Sequence, residues 1–244
     1  MNALSAPSAL PDAETLAQHR AAVLDARLQD ADPLTIIAAA HETLAGRVAT
    51  VSSFGTESVV LLHMVAQVDR HMPVLFLDTG HLFAETLAYR DQLIDRFGLT
   101  QVLTSHPDAA AHAARDRDDD LWASDTDACC ALRKVEPLAR ALAPFEGWLN
   151  GRKRYQAVTR LRIPVVEADG RHIKFNPLAA MGPAEIAGWI NAHGLPEHPL
   201  KKFGFASIGC MPCTSRVAPG EDARAGRWRG AAKTECGIHL KRTA

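Results

Sequence analysis

The sequence predicts an α/β fold, with a mainly parallel sheet covered by helices on both faces in a Rossmann-like arrangement and a cysteine-containing C-terminal segment. Three observations predict it. Short apolar runs rich in β-branched residues alternate with longer amphipathic runs between residues 47 and 107. Each interval between apolar runs is long enough for the covering helix that a parallel connection needs. From Leu195 onward the periodicity gives way to Pro, Gly, Cys and Arg.

The elements follow in order. Residues 1–32 are rich in Ala, Asp and Gln with scattered leucines, and read as a helix or two laid on the surface. Pro33–Leu44 reads as a further helix. RVATVSS (Arg47–Ser53) is a short buried strand ended by Phe54–Gly55, and ESVVLLHMVAQV (Glu57–Val68) has the apolar density of a helix. MPVLFLDTG (Met72–Gly80) is a second strand. LFAETLAYRDQLIDRFG (Leu82–Gly98) is an amphipathic helix stopped by Gly98, and TQVLTSHP (Thr100–Pro107) is a third strand. RIPVVEAD and RHIKFNPL form a strand pair about Asp169–Gly170, and Gly182–Gly194 is a helix with Pro183 near its start. In sheets of this kind ligands sit outside the carboxyl ends of the strands, so Ser52–Glu57 and Asp78–Gly80 share one rim.

Composition narrows the function. With 244 residues, 47% hydrophobic and 23% charged, the chain is of ordinary globular type. Lys+Arg 27 against Asp+Glu 28 leaves a net charge of −1, which argues against nucleic acid and membrane surfaces as partners. Locally the balance differs: from Arg216 to Ala244 seven Lys/Arg face three Asp/Glu, which suits an anionic ligand. No basic start leads into an apolar run, and no apolar stretch reaches the ~18 residues of a membrane span. A cytoplasmic protein is expected, whose thiols stay reduced.

Five cysteines, Cys129, Cys130, Cys210, Cys213 and Cys236, cannot all pair. Four ligands plus one reactive thiol fit the number and the compartment. Cys129–Cys130 lie side by side in TDACCALRKVEPL, and Cys210 and Cys213 form the C-x-x-C of GCMPC. A four-cysteine set serves an iron–sulfur cluster or a structural zinc. Adjacent cysteines suit the separated corners of a [4Fe–4S] cube better than a single tetrahedral ion. If the segment is helical, Arg133 and Lys134 lie one turn behind the pair, on the same faces, where they offset thiolate charge or meet an anion. Cys236, in KTECGIHL, stands apart, with Lys233 and His239 near enough in sequence to lower its pKa. Arg224 and Arg227 at i, i+3 can converge on one sulfate or phosphate. SSFGTES (Ser52, Ser53, Phe54, Gly55, Thr56, Glu57, Ser58) directs backbone N–H groups and hydroxyls at one point, as anion loops do, but lacks the Walker pattern. LDTGH (Leu77, Asp78, Thr79, Gly80, His81) is a second turn on that rim, read equally well as a plain turn and helix cap.

Together SSFGTES, LDTGH, CCALRKVEPL, GCMPCTSRVAPGEDARAGRW and KTECGIHL resemble the assimilatory adenylyl-sulfate reductases, grouped with the phosphoadenylyl-sulfate reductases in the adenine-nucleotide alpha-hydrolase-like fold. The likeness runs from about Val48 to His239. It leaves uncovered the N-terminal helical segment (1–45) read above, and implies a nucleotide-binding α/β domain (46–194) and a C-terminal segment with the C-x-x-C and the catalytic tail (195–244). It further implies a [4Fe–4S] cluster on Cys129, Cys130, Cys210 and Cys213 that is not the two-electron donor. The nucleotide would be seated by Ser52–Glu57 and Leu77–Gly80, and the phosphosulfate held by Lys134, Arg224 and Arg227. Lys153 and Arg154 of NGRKRYQ would add anion contacts. Cys236 would attack sulfur, helped by His239, and thioredoxin or a similar dithiol would release sulfite for sulfate assimilation and cysteine biosynthesis. The oligomeric state is left open, a homo-oligomer included. Two alternatives stand beside this: a cluster-bearing reductase of phosphoadenylyl sulfate, and a nucleotide-binding iron–sulfur redox sensor.

Overall fold

Helix α1 (Ala13–Leu28) starts where Asp12 accepts the Thr15 N–H at 2.8 Å, and α2 (Pro33–Thr43) starts on Asp32 with Pro33 in its first turn. The computed structural model describes residues 12–231 and 233–239; the outermost parts of the two flanking segments, 1–11 and 240–244, lie outside them. Strand β1 (Val48–Val51) leads into α3 (Ser58–Asp69), β2 (Val74–Leu77), α4 (Ala84–Phe97) and β3 (Val102–Ser105). Gly98, at φ 61°, ends α4 as expected. Short helices α5 (Ala109–Arg115), α6 (Leu121–Ser124) and α7 (Thr126–Cys130) follow. A π-helical turn (Ala131–Val135) then carries α7 into α8 (Glu136–Ala141). The chain closes its sheet with β4 (Gly147–Leu149), β5 (Val166–Asp169) and β6 (His172–Phe175), then adds α9 (Pro183–Ala192).

The strand order is β3-β2-β1-β4-β6-β5, parallel except for β5 against β6. The β1–α3–β2–α4–β3 run is the expected one. Strand β4 escaped the sequence reading, although it pairs with β1 in the middle of the sheet. Gly-Trp-Leu has three residues and no β-branched side chain, so it carries almost no strand signal. Packing holds it instead. A Cβ on Gly147 would meet the Ile173 carbonyl oxygen and Leu44 Cδ1 at 2.5 Å each, so only glycine lets β4 approach so closely.

The main core takes side chains from α1, α2, α3, α4, α9 and the sheet. Helix α1 is therefore not laid loosely on the surface: Ala21, Leu24 and Leu28 belong to that core. A smaller apolar cluster on the other face gathers Ala49, Val51, Leu75, Leu138, Leu142 and Trp148, with Ile238 of the tail packed against it. Among the described residues no helix is long and apolar enough to cross a membrane.

Candidate active site

The parallel sheet grows one way from β1 to β2 and β3, and the other way from β1 to β4. At such a reversal the loops leaving adjacent strands part and open a crevice at the carboxyl edge. A pocket of about 200 Å³ lies there, lined by residues following β1, β2 and β4 and by residues from 207 to 239.

After β1, Ser52, Ser53, Gly55, Thr56 and Glu57 line the pocket. The loop is held by its own hydroxyls: Ser52 Oγ accepts the Phe54 N–H at 3.1 Å and Ser58 Oγ accepts the Gly55 N–H at 3.0 Å. Phe54 sits at φ 49°, and its ring turns into the core, edge-on to Phe76 at 5.4 Å. It is a core residue, not a lining one as the motif suggested. After β2, Leu77 and Thr79 line the pocket, while Asp78 and Gly80 do not. Asp78 Oδ1 accepts the Gly80 N–H at 3.0 Å, which makes it a turn residue.

After β4, Lys153 lines the pocket as the sequence suggested, and beside it come residues that the sequence reading placed wrongly or missed. Lys153 Nζ is 2.9 Å from both Glu57 Oε2 and the Gly151 carbonyl, so its charge serves the loop after β1. Burial would raise the Glu57 carboxyl, but Lys153 and the hydrogen bonds from Tyr155 and Gln156 hold it below the usual range. Arg154 turns away and donates to the Ile163 carbonyl at 3.1 Å, outside the lining. Arg152 and Arg160 take its place in the pocket wall. Arg152 is fixed by Asn150, Asn176 and Glu167. The available signal was position: Arg152 lies three residues beyond β4, visible only once β4 is known.

The cysteine-bearing helix starts on Asp125, whose side chain accepts the Asp127 and Ala128 N–H groups. Its π turn widens the repeat, and the two cations behind the pair diverge. Arg133 is buried and donates to Asp116 at 2.5 Å, to Asp119, and to the Thr79 carbonyl at 2.7 Å. It thereby fills the His81–Asp116–Asp119 group, the one set of metal-type ligands that converges within 4.8 Å among the described residues. Lys134 instead stays among sulfurs and lines the pocket. Burial works against its charge, but Cys210, Cys236 and Cys130 outweigh that and hold its pKa above the usual range.

Cys129, Cys130 and Cys210 are buried and Cys213 is half-buried. The four interact electrostatically, and burial together with Cys130 and Cys210 pushes the Cys129 thiol up to about 12. Thr79 Oγ1 lies 3.2 Å from Cys210 Sγ. A zinc tetrathiolate brings its sulfurs to about 3.8 Å of one another, given Zn–S bonds of ~2.3 Å. No three of these thiols meet within 4.8 Å. The donor set is all-thiol, crowded, and spaced more widely than one ion requires, which fits a cluster with several metal corners.

Cys236 reaches the same pocket from the tail and is half-buried. Glu235 anchors the segment through Arg160 and Arg224. Lys233 does not serve Cys236 as its spacing suggested; its ammonium binds Asp127 and the Thr126 carbonyl, beside Cys130. His239 stacks on Trp148 at 5.9 Å and 10°. Burial and the cations Lys174, Arg152, Arg160 and Arg224 hold it far below the usual histidine pKa, so it is neutral. Arg227 lies against bare Gly209, where a Cβ would sit 2.2 Å from its Nη2, and 4.5 Å over the Trp228 ring. Arg224 and Arg227 both line the pocket, as their i, i+3 spacing suggested.

The fold defines an α/β protein of the adenine-nucleotide alpha-hydrolase-like class. Residues 47–216 match the phosphoadenosine phosphosulfate reductase domain. The chain is 54% identical to an adenosine 5'-phosphosulfate reductase of Mesorhizobium japonicum, over 94% of this chain and 91% of that one. It is 41% identical to a phosphoadenosine 5'-phosphosulfate reductase of Gloeobacter violaceus, over 98% and 100%. A crystal structure of phosphoadenylyl-sulfate reductase from Candida auris, a phosphate complex, superposes with TM-score 0.66 at 26% identity, covering 82% of this chain and 97% of that one. An FMN adenylyltransferase of Candida glabrata, at 15% identity and TM-score 0.53, shares the fold alone; the match covers 82% of this chain and 71% of that one. The chain belongs to the phosphoadenosine phosphosulfate reductase family.

Proposed function

We propose that this protein reduces adenylyl sulfate to sulfite and AMP, through a sulfonated Cys236 and at the expense of a dithiol such as thioredoxin. Family membership makes it an oxidoreductase acting on sulfur. The observation that carries the finer reading is the meeting of one tail thiol, Cys236, with Lys134, Arg224 and Arg227 in the rim pocket, beside four thiols from other segments.

The residues act as follows. Lys134, Arg224 and Arg227 neutralise the phosphosulfate, which makes AMP a better leaving group; such donors are typically worth ~2.7–4 kcal/mol each. The Cys236 thiolate attacks the sulfonyl sulfur, an S–S bond forms, and the S–O bond to AMP breaks. A thiolate of the donor then attacks Cys236 Sγ and sulfite leaves with the electron pair. The donor's second thiol resolves the mixed disulfide and restores Cys236. The net change is two-electron reduction of sulfur and oxidation of one dithiol to a disulfide.

Cys129, Cys130, Cys210 and Cys213 would hold a [4Fe–4S] cluster, which when bound supplies fixed charge beside the pocket, balanced by Lys134. The reduced thiols of this scheme suit a cytoplasmic location. The test is anaerobic purification, iron and sulfide analysis, and a sulfite assay from adenylyl sulfate with a dithiol protein. Absence of sulfite overturns the reading. The Gloeobacter relative's name favours a second substrate carrying a 3′-phosphate; competition kinetics with both nucleotides decides between them.

A further inference from the structure

Glu235 is the most tightly held residue of the tail. Its carboxylate accepts from Arg160 Nε at 2.5 Å and Nη2 at 2.6 Å, a two-pronged pairing, and from Arg224 Nη2 at 3.3 Å. The Glu235 and Arg160 side chains are 9% and 8% exposed. The rest of the described tail is held by the Lys233–Asp127 ion pair and by softer contacts: Gly237 against Val135, Ile238 in the small apolar cluster and His239 on Trp148. Arg160 and Arg224 also line the pocket, within reach of any anion that enters it. The residue after Glu235 is Cys236.

A phosphosulfate is tetrahedral at phosphorus and sulfur, but pairs of its oxygens can take the two-pronged guanidinium grip that a carboxylate takes. The two arginines cannot give both anions their full set of N–H donors. We infer that Glu235 is the positioning residue of the nucleophile, latching the Cys236 segment onto Arg160 and Arg224, and that an incoming substrate anion competes with it for those guanidinium groups. Anion binding and docking of the tail are then coupled, and each weakens the other by the same factor. The inference rests on the proposed role of Cys236 as nucleophile.

Glu235→Gln keeps the shape of the side chain and removes its charge. The latch then has two effects of opposite sign. AMP binding by calorimetry tightens by about tenfold, because its competitor is gone. The single-turnover rate of Cys236 sulfonation falls by about 10²-fold, because the thiol is no longer aimed. Alkylation of Cys236 by iodoacetamide in ligand-free protein rises, compared on the pH-independent plateau where the thiolate is fully formed. Glu235→Asp restores part of each change. Arg160→Lys raises alkylation likewise but weakens AMP binding. A purely structural role would weaken binding and transfer together; that result, or wild-type alkylation in Glu235→Gln, overturns the latch. The binding and alkylation measurements need no turnover. A wild-type protein that makes no sulfite therefore refutes the proposed reaction without touching these outcomes.

Discussion

The sulfurs of this protein occupy two kinds of place, and the contrast shows how the chain divides its rigidity. Cys129 and Cys130 sit on a helix capped by Asp125 and braced through its π turn by the buried Arg133 network. Cys210 is fixed by a β-bridge to Leu82, just past the LDTGH turn, and by Thr79. Cys213 follows in a 3-10 turn, its N–H donating to the Cys210 carbonyl at 3.1 Å. Cys236 rests on a tail held by the ion pairs of Glu235 and Lys233, one apolar foot and one stacked ring. The first four thiols sit on structure held from several sides, whereas the fifth is held by contacts that an anion can contest.

The sharpest way to break the comparison is to exchange sulfur for oxygen on each side of it. Cys236→Ser should drop sulfite formation by on the order of 10⁴-fold or more while iron and visible colour stay, measured by assay and metal analysis on one preparation. Cys130→Ser should do the reverse, losing iron while Cys236 remains open to alkylation followed by mass spectrometry. Should Cys236→Ser lose its iron and Cys130→Ser keep it, the division of roles would be the wrong way round.

A smaller effect is expected from the cation that touches both groups. Lys134 feels Cys210, Cys236 and Cys130 at once. Lys134→Ala should lower kcat by about 10²–10³-fold, as the loss of a donor aimed at developing charge does. Gly209→Ala acts one step removed. Its Cβ would drive the Arg227 guanidinium aside, and KM for adenylyl sulfate should rise by about tenfold while Cys236 alkylation is unchanged.

The same contrast explains what could be read from the sequence. The β1–α3–β2–α4–β3 run was legible because each element carries its own periodicity. The two rim loops were legible because a strand must end in something. What failed was direction. Phe54 lies within a loop that lines the pocket, yet its positive φ turns it into the core. Arg154 lies two residues past Arg152, where a continuing extended run would put both on one side, but a 3-10 turn begins at Arg154 and carries its side chain to the Ile163 carbonyl instead. Arg160 was invisible for another reason: its partner Glu235 is 75 residues away, and no local spacing encodes that pair. Strand β4 is held by packing around Gly147 and Trp148, not by propensity.

The smallest expected effect concerns His239, whose place in the tail suggests a base. The structure gives it a different part. Burial, Lys174, Arg152, Arg160 and Arg224 keep it neutral, and its ring lies flat on Trp148. A released imidazole titrates near 6.5, whereas the docked one titrates well below that. Protons therefore favour the released tail: docking is complete above pH ~6.5 and is lost as pH falls below it. The checks are a Trp148 fluorescence change on acidification that disappears in His239→Asn, and a kcat/KM profile between pH 6.5 and 8 with the same shape in both proteins. The substitution should cost no more than about tenfold in rate, the worth of one aromatic stacking contact. An inflection of kcat/KM between pH 6.5 and 8 that vanished with His239 would instead make it a proton carrier, and the tail would hold two chemical groups where this structure supports one.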